Sequence, residues 1–542
     1  SKFSKNLSLN FVASGKKTYQ DLYNEVVSIA NHLLHLGVKK GDKVAILSAN
    51  MPNWGITQFA IANIGAIAVP VLPGFCSTEL QNILEHAEVK VIFVSRLLAK
   101  CLEGVKTPFL KHKILINNFS TIPEGCYQPE ELDKLVPDIS LNNTTPLPEV
   151  SIEEEDIASI IYTSGTTGFS KGVVLTHKNL VWDARQCHTI QPVDETYRFL
   201  SILPMAHTYE NTLGLLLPLM YGAQVYYLDR VPTPKLLVPA MQKIRPTVVL
   251  SVPLIIEKIY KSQVLPKFTG SKWMSKLYQF APARKLFNRL AGKKLMETFG
   301  GELKFFGIGG SKLDGTVEQF LREAKFPYAI GYGLTETAPM AAGSNPSQTF
   351  LQGVGPVMEG VQIKINDPDN SGQGEIWIKG PNVMKGYYKR PELTAETFTE
   401  DGWFKTGDLG SFDKKNRLAI RGRIKTMILG ASGENIYPEE IESIINNFRF
   451  VNESLVVENS GKLVAMVHFN MEELEKQYQR LKDQAGNYKE KINDYIEEQK
   501  QELRDYVNAR VNNFSKLQLV LVQHEPFEKT PTHKIKRFLY CK

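Results

Sequence analysis

The chain has 542 residues, 43% of them hydrophobic, and carries 64 Lys and Arg against 57 Asp and Glu, a formal charge of +7. That length exceeds a single hydrophobic core and calls for two or more domains, and the hydrophobic share is that of an ordinary globular protein. The charge is too small to argue for nucleic acid; Cys76, Cys101, Cys126, Cys187 and Cys541 are scattered without a C-x-x-C and read as reduced thiols of a cytoplasmic protein; no apolar run can span a bilayer; and Ser1 to Lys5 hold no secretory apolar stretch.

Lys17 to Leu36 is predicted helical, because Leu22, Val26, Ile29, Leu33 and Leu36 recur at three- and four-residue steps and Gly37 follows. Strands are predicted at Lys43–Leu47, Ala66–Val71 and Val89–Val94, with helices at Pro52–Ile64 and Thr78–His86 between them. Strands alternating with helices indicate parallel βαβ units. Residues 103–150 are rich in Pro, Asn and Lys and are expected as peripheral loops.

The β-branched run Ile157 to Tyr162 reads as a strand that ends in Thr163-Ser164-Gly165-Thr166-Thr167-Gly168-Phe169-Ser170-Lys171, and Gly172 to Leu175 reads as a returning strand. Glycine permits close backbone approach, and hydroxyls with successive N–H groups surround an anion. Lys171 adds a mobile cation. The spacing fails the Walker A pattern, since Gly rather than Ser or Thr follows Lys171. Phosphate binding and a plain polar hairpin turn both fit, and so rich a set of Thr, Ser, Gly and Lys favours phosphate.

Ser201 to His207 is expected as an apolar strand ending at a His, which is as much a site candidate as a structural residue. Lys258 to Lys294 holds ten Lys or Arg, no acid, and Tyr260, Phe268, Trp273, Tyr278, Phe280 and Phe287. It reads either as a solvated face over core aromatics or as a patch for the inner face of an anionic membrane. Strands at Leu303–Ile308 and Tyr328–Ile330 run into Gly309-Gly310-Ser311 and Gly331-Tyr332-Gly333-Leu334-Thr335-Glu336, small residues at strand ends where open α/β sheets bind ligands.

From about 350 short strands are predicted at Gln362–Ile365, Gly374–Ile378 and Leu418–Ile420, with Asp408 at a Gly-flanked turn. Pro438 to Asn446 reads as a helix, Glu472 to Lys516 as one or two amphipathic helices, and Leu517 to Val522 as a strand.

Six of these stretches resemble motifs of the adenylate-forming enzymes, the group of acyl-CoA synthetases, luciferases and peptide-synthetase adenylation domains. Thr163 to Gly172 resembles Thr-Ser-Gly-Thr-Thr-Gly-x-Pro-Lys-Gly, with Ser170 in place of Pro. Leu203-Pro-Met-Ala-His207-Thr-Tyr-Glu-Asn211 is similar to the form common in long-chain acyl-CoA synthetases. Tyr332-Gly333-Leu334-Thr335-Glu336 matches Tyr-Gly-x-Thr-Glu, and Thr406-Gly407-Asp408 matches Thr-Gly-Asp. Arg421-Gly422-Arg423-Ile424-Lys425 departs from Asp-Arg-x-Lys at Gly422, and Thr530 to Arg537 resembles Thr-Pro-Thr-x-Lys-x-Lys-Arg.

The resemblance implies an α/β fold. A large domain of stacked βαβ sheets would span 1–423, with a β-rich subdomain at about 350–423, followed by a small mobile α+β domain at 424–542. It implies an AMP-forming ligase that activates a fatty acid with ATP and Mg²⁺ and passes it to coenzyme A. Ser164, Gly165, Thr166, Thr167, Gly168 and Lys171 would hold phosphates. Gly310, Ser311, Gly331, Tyr332, Gly333, Thr335, Asp408 and Arg423 would hold the rest of ATP, while Thr163 and Glu336 would reach Mg²⁺. Lys534, Glu336 and His207 would be catalytic, His207 lining the nucleotide and acyl pocket, and Lys425 would be the hinge. A carboxylate suits a hard cation, and the aromatic face of Tyr332 suits a base. Rival readings are an acyl-AMP ligase serving a carrier protein, a ligase for aryl or short-chain acids, and an inactive membrane-associated scaffold.

Overall fold

The computed structural model describes residues 2–75, 77–139, 141, 145–163, 170–230, 232–269, 271–429, 435–459, 461–481, 488–530 and 534–540. Two compact units emerge from the packing: Ser1–Ile363 with Ile378–Phe404 and Lys414–Leu418, and Lys364–Trp377 with Lys405–Asp413 and Ala419–Lys542.

The first unit contains two large sheets. Its opening helix, Tyr19–His35, begins at a capping box in which Thr18 and Asp21 satisfy each other's orphan N–H groups, and it buries Leu22, Val26, Ile29 and Leu33 as the periodicity predicts. Strands Lys43–Leu47, Ile67–Val71 and Val89–Val94 are parallel, separated by helices Pro52–Asn63 and Ser77–His86. They form the middle of an eight-stranded sheet. On one side lie Ile157–Thr163, Lys171–Thr176 and Gly386–Tyr387; on the other lie His112–Leu115 and Ser120–Thr121.

The seven-stranded sheet has the spatial order Leu9–Phe11, Gln224–Tyr227, Arg198–Ser201, Val248–Ser251, Phe305–Ile308, Tyr328–Gly333, Met340–Gly343. All its pairings are parallel except the last. Its core is rich in aromatics, with Phe299, Phe306 and Phe326 in mutual edge contact.

Two expectations change here. Residues 103–150 are not all loop: His112–Leu115 pairs in parallel with Val91–Val94, and Pro129–Leu132 forms a short helix. The unpaired edge of the neighbouring strand captures a segment whose polar flanks hide it, and Ile114 and Leu115 are buried there. The predicted strand at Ser201–His207 ends at Ser201, where Asn50 takes over: its amide donates to the Ser201 hydroxyl and the Leu203 carbonyl, and its oxygen accepts from Met205 N–H.

The four-stranded sheet runs Gln362–Asn366, Gly374–Lys379, Phe404–Phe412, Leu418–Arg423. In the C-terminal part of the second unit, helix Pro438–Ile445 and strands Val451–Asn459, Lys462–Phe469 and Leu519–Val522 pack with two helices, Met471–Leu481 and Tyr488–Asn508. The charged stretch after Glu472 is therefore two helices. Leu474 and Tyr478 of the first and Leu503 and Val507 of the second are buried, which gives each helix an apolar face on the core.

Candidate active site

The hairpin is real on both flanks: Ile157–Thr163 and Lys171–Thr176 are antiparallel, and Thr163 stands opposite Lys171 at their open ends. Ser164, Gly165, Thr166, Thr167 and Gly168 lie outside the described residues. The ladder continues onto Gly386–Tyr387, which pairs with Val174 and Val173. Gly172 leaves room for this, since a Cβ there would stand 2.9 Å from Ile160 Cγ2 and 3.3 Å from Tyr388 Cβ.

That edge strand carries Tyr387 between two predicted site residues. Its hydroxyl donates to Glu336 Oε1 at 2.9 Å, and its ring centroid lies 5.0 Å from Lys171 Nζ. The ring is 8% exposed. Burial, with the Glu336 carboxylate beside it, drives the phenol pKa far above its ordinary value, so the group stays a donor at any physiological pH. Lys171, Tyr387 and Glu336 thus make a cation–aromatic–carboxylate row on one unit.

The loop bearing Glu336 is fixed by its backbone. Met384 N–H donates to the Glu336 carbonyl at 2.8 Å. The Asn382 amide donates to the carbonyls of Thr337 and Met340, the Thr212 hydroxyl to that of Ala338, and Asp183 Oδ1 accepts from Met340 N–H. Gly333 is obligatory, because a Cβ there would stand 1.7 Å from the Pro339 carbonyl oxygen. Tyr332 is buried at a register shift between Tyr328–Gly333 and Met340–Gly343, and Gly331 lies in the same strand, packed against Met340. The strand therefore runs three residues past the predicted Ile330, through Gly333. Thr335 is buried in the single turn Thr335–Thr337. Gly310, at φ +88, and Ser311 are exposed beyond strand Phe305–Ile308.

His207 follows loop rather than strand and caps the short helix Thr208–Glu210, its Nδ1 accepting from Tyr209 N–H at 3.2 Å. Behind it the Glu210 carboxyl is 2% exposed, and its Oε2 has no hydrogen-bond partner. Burial pushes its pKa up to about 8, with the Ser201 hydroxyl opposing.

On the second unit, Asp408 and Arg423 come together: Arg423 Nε lies 2.9 Å from Asp408 Oδ1. Asp408 sits inside strand Phe404–Phe412 rather than at a turn. Gly407, at φ +71, accommodates the irregularity while Gly407 N–H donates to Glu375 Oε1 and Asp408 N–H to the Thr406 hydroxyl. Lys425 is exposed in the turn Ile424–Thr426. Lys534 is exposed; its carbonyl accepts from Thr530 N–H, and its N–H donates to the Thr530 hydroxyl.

Among the described residues no cluster of three or more His, Cys, Asp or Glu could hold a metal by itself. One accessible carboxylate at Glu336, with a hydroxyl at Thr163, fits Mg²⁺, a cation that keeps waters and is otherwise bound through substrate phosphates. Tyr387 and Asn382 carry no motif spacing; Tyr387 meets Glu336 across 51 positions of chain, through a side-chain hydrogen bond.

A family model described as AMP-binding enzyme matches residues 5–388. A long-chain-fatty-acid–CoA ligase of Mycobacterium bovis is 29% identical over 86% of this chain and 80% of its own length. A chloroplastic long-chain-fatty-acid–[acyl-carrier-protein] ligase of Arabidopsis thaliana is 28% identical over 96% of this chain and 81% of its own. The fold is similar to that of ATP-bound MatB from Rhodopseudomonas palustris, with a TM-score of 0.76 at 22% identity over 99% of this chain and 95% of that one.

Proposed function

Because the chain belongs to the family of AMP-binding enzymes, we propose that it joins a long-chain fatty acid to coenzyme A in two steps, forming acyl-AMP and pyrophosphate and then acyl-CoA and AMP. The observation that carries the site is the row Lys171–Tyr387–Glu336, a fixed cation beside a fixed carboxylate at the end of the hairpin predicted to hold phosphate. Similarity to long-chain ligases over most of their length supports the substrate class.

In the first step a carboxylate oxygen bonds to the α-phosphorus of ATP as the bond to pyrophosphate breaks. In the second the thiol sulfur bonds to the acyl carbon, AMP leaves and the thiol proton passes to solvent. Fatty acid and nucleotide are both anions, so the rate comes from positioning and from cations aimed at the phosphates. Lys171 holds the β- and γ-phosphates, Tyr332 packs on adenine, Asp408 and Arg423 bind the ribose, and Lys534 serves the first step by drawing carboxylate and α-phosphate together. Glu336 and Thr163 would hold Mg²⁺, which would supply neutralisation of phosphate charge. We assign the hinge to Lys425, between a large domain 1–423 and a small one 424–542. The deciding experiment is an assay with ATP, Mg²⁺ and acids of graded chain length, offering coenzyme A or a phosphopantetheinyl carrier protein as acceptor. We expect CoA-dependent AMP release that peaks with long chains. Release that needs the carrier protein, or only short or aryl acids, overturns the assignment.

We further propose that the protein, which has no membrane-spanning helix among its described residues, docks on anionic membrane through helices Lys272–Gln279 and Ala281–Thr298. Trp273, Phe280, Leu286 and Leu290 are each more than half exposed there. Tyr260 is in the core and Phe268 stacks between Tyr278 and Phe287, so only two of the six aromatics remain for a bilayer. Arg284 is spent on Glu323. If half of the other basic residues face lipid, attraction is about 4–5 kcal/mol at roughly 1 kcal/mol each. Co-sedimentation should be seen with anionic vesicles, fall sharply between about 0.1 M and 1 M salt, and weaken further in Trp273→Ala. Equal recovery on neutral vesicles, or none on either, returns the surface to plain solvation.

A further inference from the structure

Tyr387 touches both ends of the phosphate- and metal-binding row. It is held from several directions. Tyr387 N–H donates to the Thr394 hydroxyl at 2.9 Å, and its neighbours Lys385 and Tyr388 donate to the carbonyls of Val174 and Gly172 in the strand that begins at Lys171. Gly386, at φ +143, packs against Thr394: a Cβ there would stand 2.7 Å from Thr394 Cγ2. The hydroxyl donates to Glu336 Oε1, with the Thr397 hydroxyl also hydrogen-bonded to it, and the ring face is turned to Lys171.

We infer that Tyr387 is a positioning residue for Mg-nucleotide: its hydroxyl locks one oxygen of Glu336 in the conformation that receives the metal, while its ring keeps Lys171 beside it. This rests on the reading of Glu336 and Lys171 as metal and phosphate groups. A carboxylate on a flexible side chain loses rotamer freedom when it binds a cation, and a hydrogen bond already made to it removes that cost before the ligand arrives. The ring does the same for Lys171, holding a strongly hydrated ammonium by its π-face without neutralising it. The two effects separate by substitution, because Phe keeps the ring and loses only the hydroxyl.

The test titrates Mg²⁺ into protein with a non-hydrolysable ATP analogue and reads binding by calorimetry, with no turnover involved. Tyr387→Phe should raise the Mg²⁺ concentration at half-saturation about ten-fold, the size expected for a hydrogen bond to a charged group, and leave metal-free analogue binding unchanged. Tyr387→Leu should also weaken metal-free binding, through Lys171. Glu336→Gln should raise the Mg²⁺ requirement by more, since a neutral oxygen replaces an anionic one, and adding Tyr387→Phe to it should change nothing further. If Glu336→Gln leaves the Mg²⁺ requirement unaltered, the metal role of Glu336 is what fails. If Glu336→Gln raises it but Tyr387→Phe does not, or if the two effects simply add, the positioning role fails alone. Loss of the fold in Tyr387→Phe would make the hydroxyl structural and overturn the inference as well.

Discussion

Lys534→Ala should slow acyl-AMP formation by about a hundred- to a thousand-fold, the cost typical of removing one donor that stabilises transition-state charge, yet leave thioester formation from supplied acyl-AMP within a few-fold of wild type. The first step brings two anions together and transfers negative charge onto pyrophosphate; the second brings a neutral or singly charged thiol to an activated carbonyl and has less need of a cation. Lys534 is suited to the first. It is exposed at the surface, and its backbone is fixed by the two hydrogen bonds with Thr530. Arg537, three residues on, binds the half-buried Glu442 and the Val456 carbonyl, which anchors the segment. Single-turnover measurement of pyrophosphate release, beside CoA-dependent AMP release from synthetic acyl-AMP, separates the half-reactions. Equal loss in both would remove Lys534 from its assigned step.

The Glu210 contribution to stability should fall as pH rises from about 5 to 8, and Glu210→Gln should remove it. The folded carboxyl keeps its proton up to about pH 8, whereas a free Glu loses it near 4.3. Between those values the folded state binds one proton more than the unfolded state. Each pH unit upward therefore costs about 1.4 kcal/mol. The contribution is complete below pH 4 and gone above 8. The titratable groups that interact with it, Tyr209 and Tyr227, keep their protons because burial raises both phenols. Gln is similar in shape and does not ionise. Gly214 leaves the space the side chain fills, since a Cβ there would lie 2.6 Å from Glu210 Oε1. Denaturant unfolding of both proteins at pH 5, 6.5 and 8 should show the difference moving in favour of Gln by about 3–4 kcal/mol across the range. A constant difference would mean that Glu210 is already ionised in the fold.

The local sequence determined a good deal of this protein. The β-branched run Ile157 to Tyr162 and the return Gly172 to Leu175 specify two strands, because such side chains suit a pleated, buried surface, and the structure pairs them antiparallel. The apolar spacing of Leu22, Val26, Ile29 and Leu33 specifies a helix face, and all four are buried. Family membership was legible in ordered motifs whose side chains, Lys171, Tyr332, Thr335 and Glu336, carry their chemistry in their identity.

Only the tertiary structure decided what holds those groups. Tyr387 meets Glu336 across 51 positions, and Asn50 stops a strand by bonding to Ser201 across 151. Asp408 looks like a turn residue among its glycines but is drawn into a nine-residue strand and paired with Arg423. His112–Leu115 becomes a strand because a neighbouring edge is there to receive it. Strand register and burial are set by partners far along the chain, and periodicity records only which face a residue turns, not which residue it will meet.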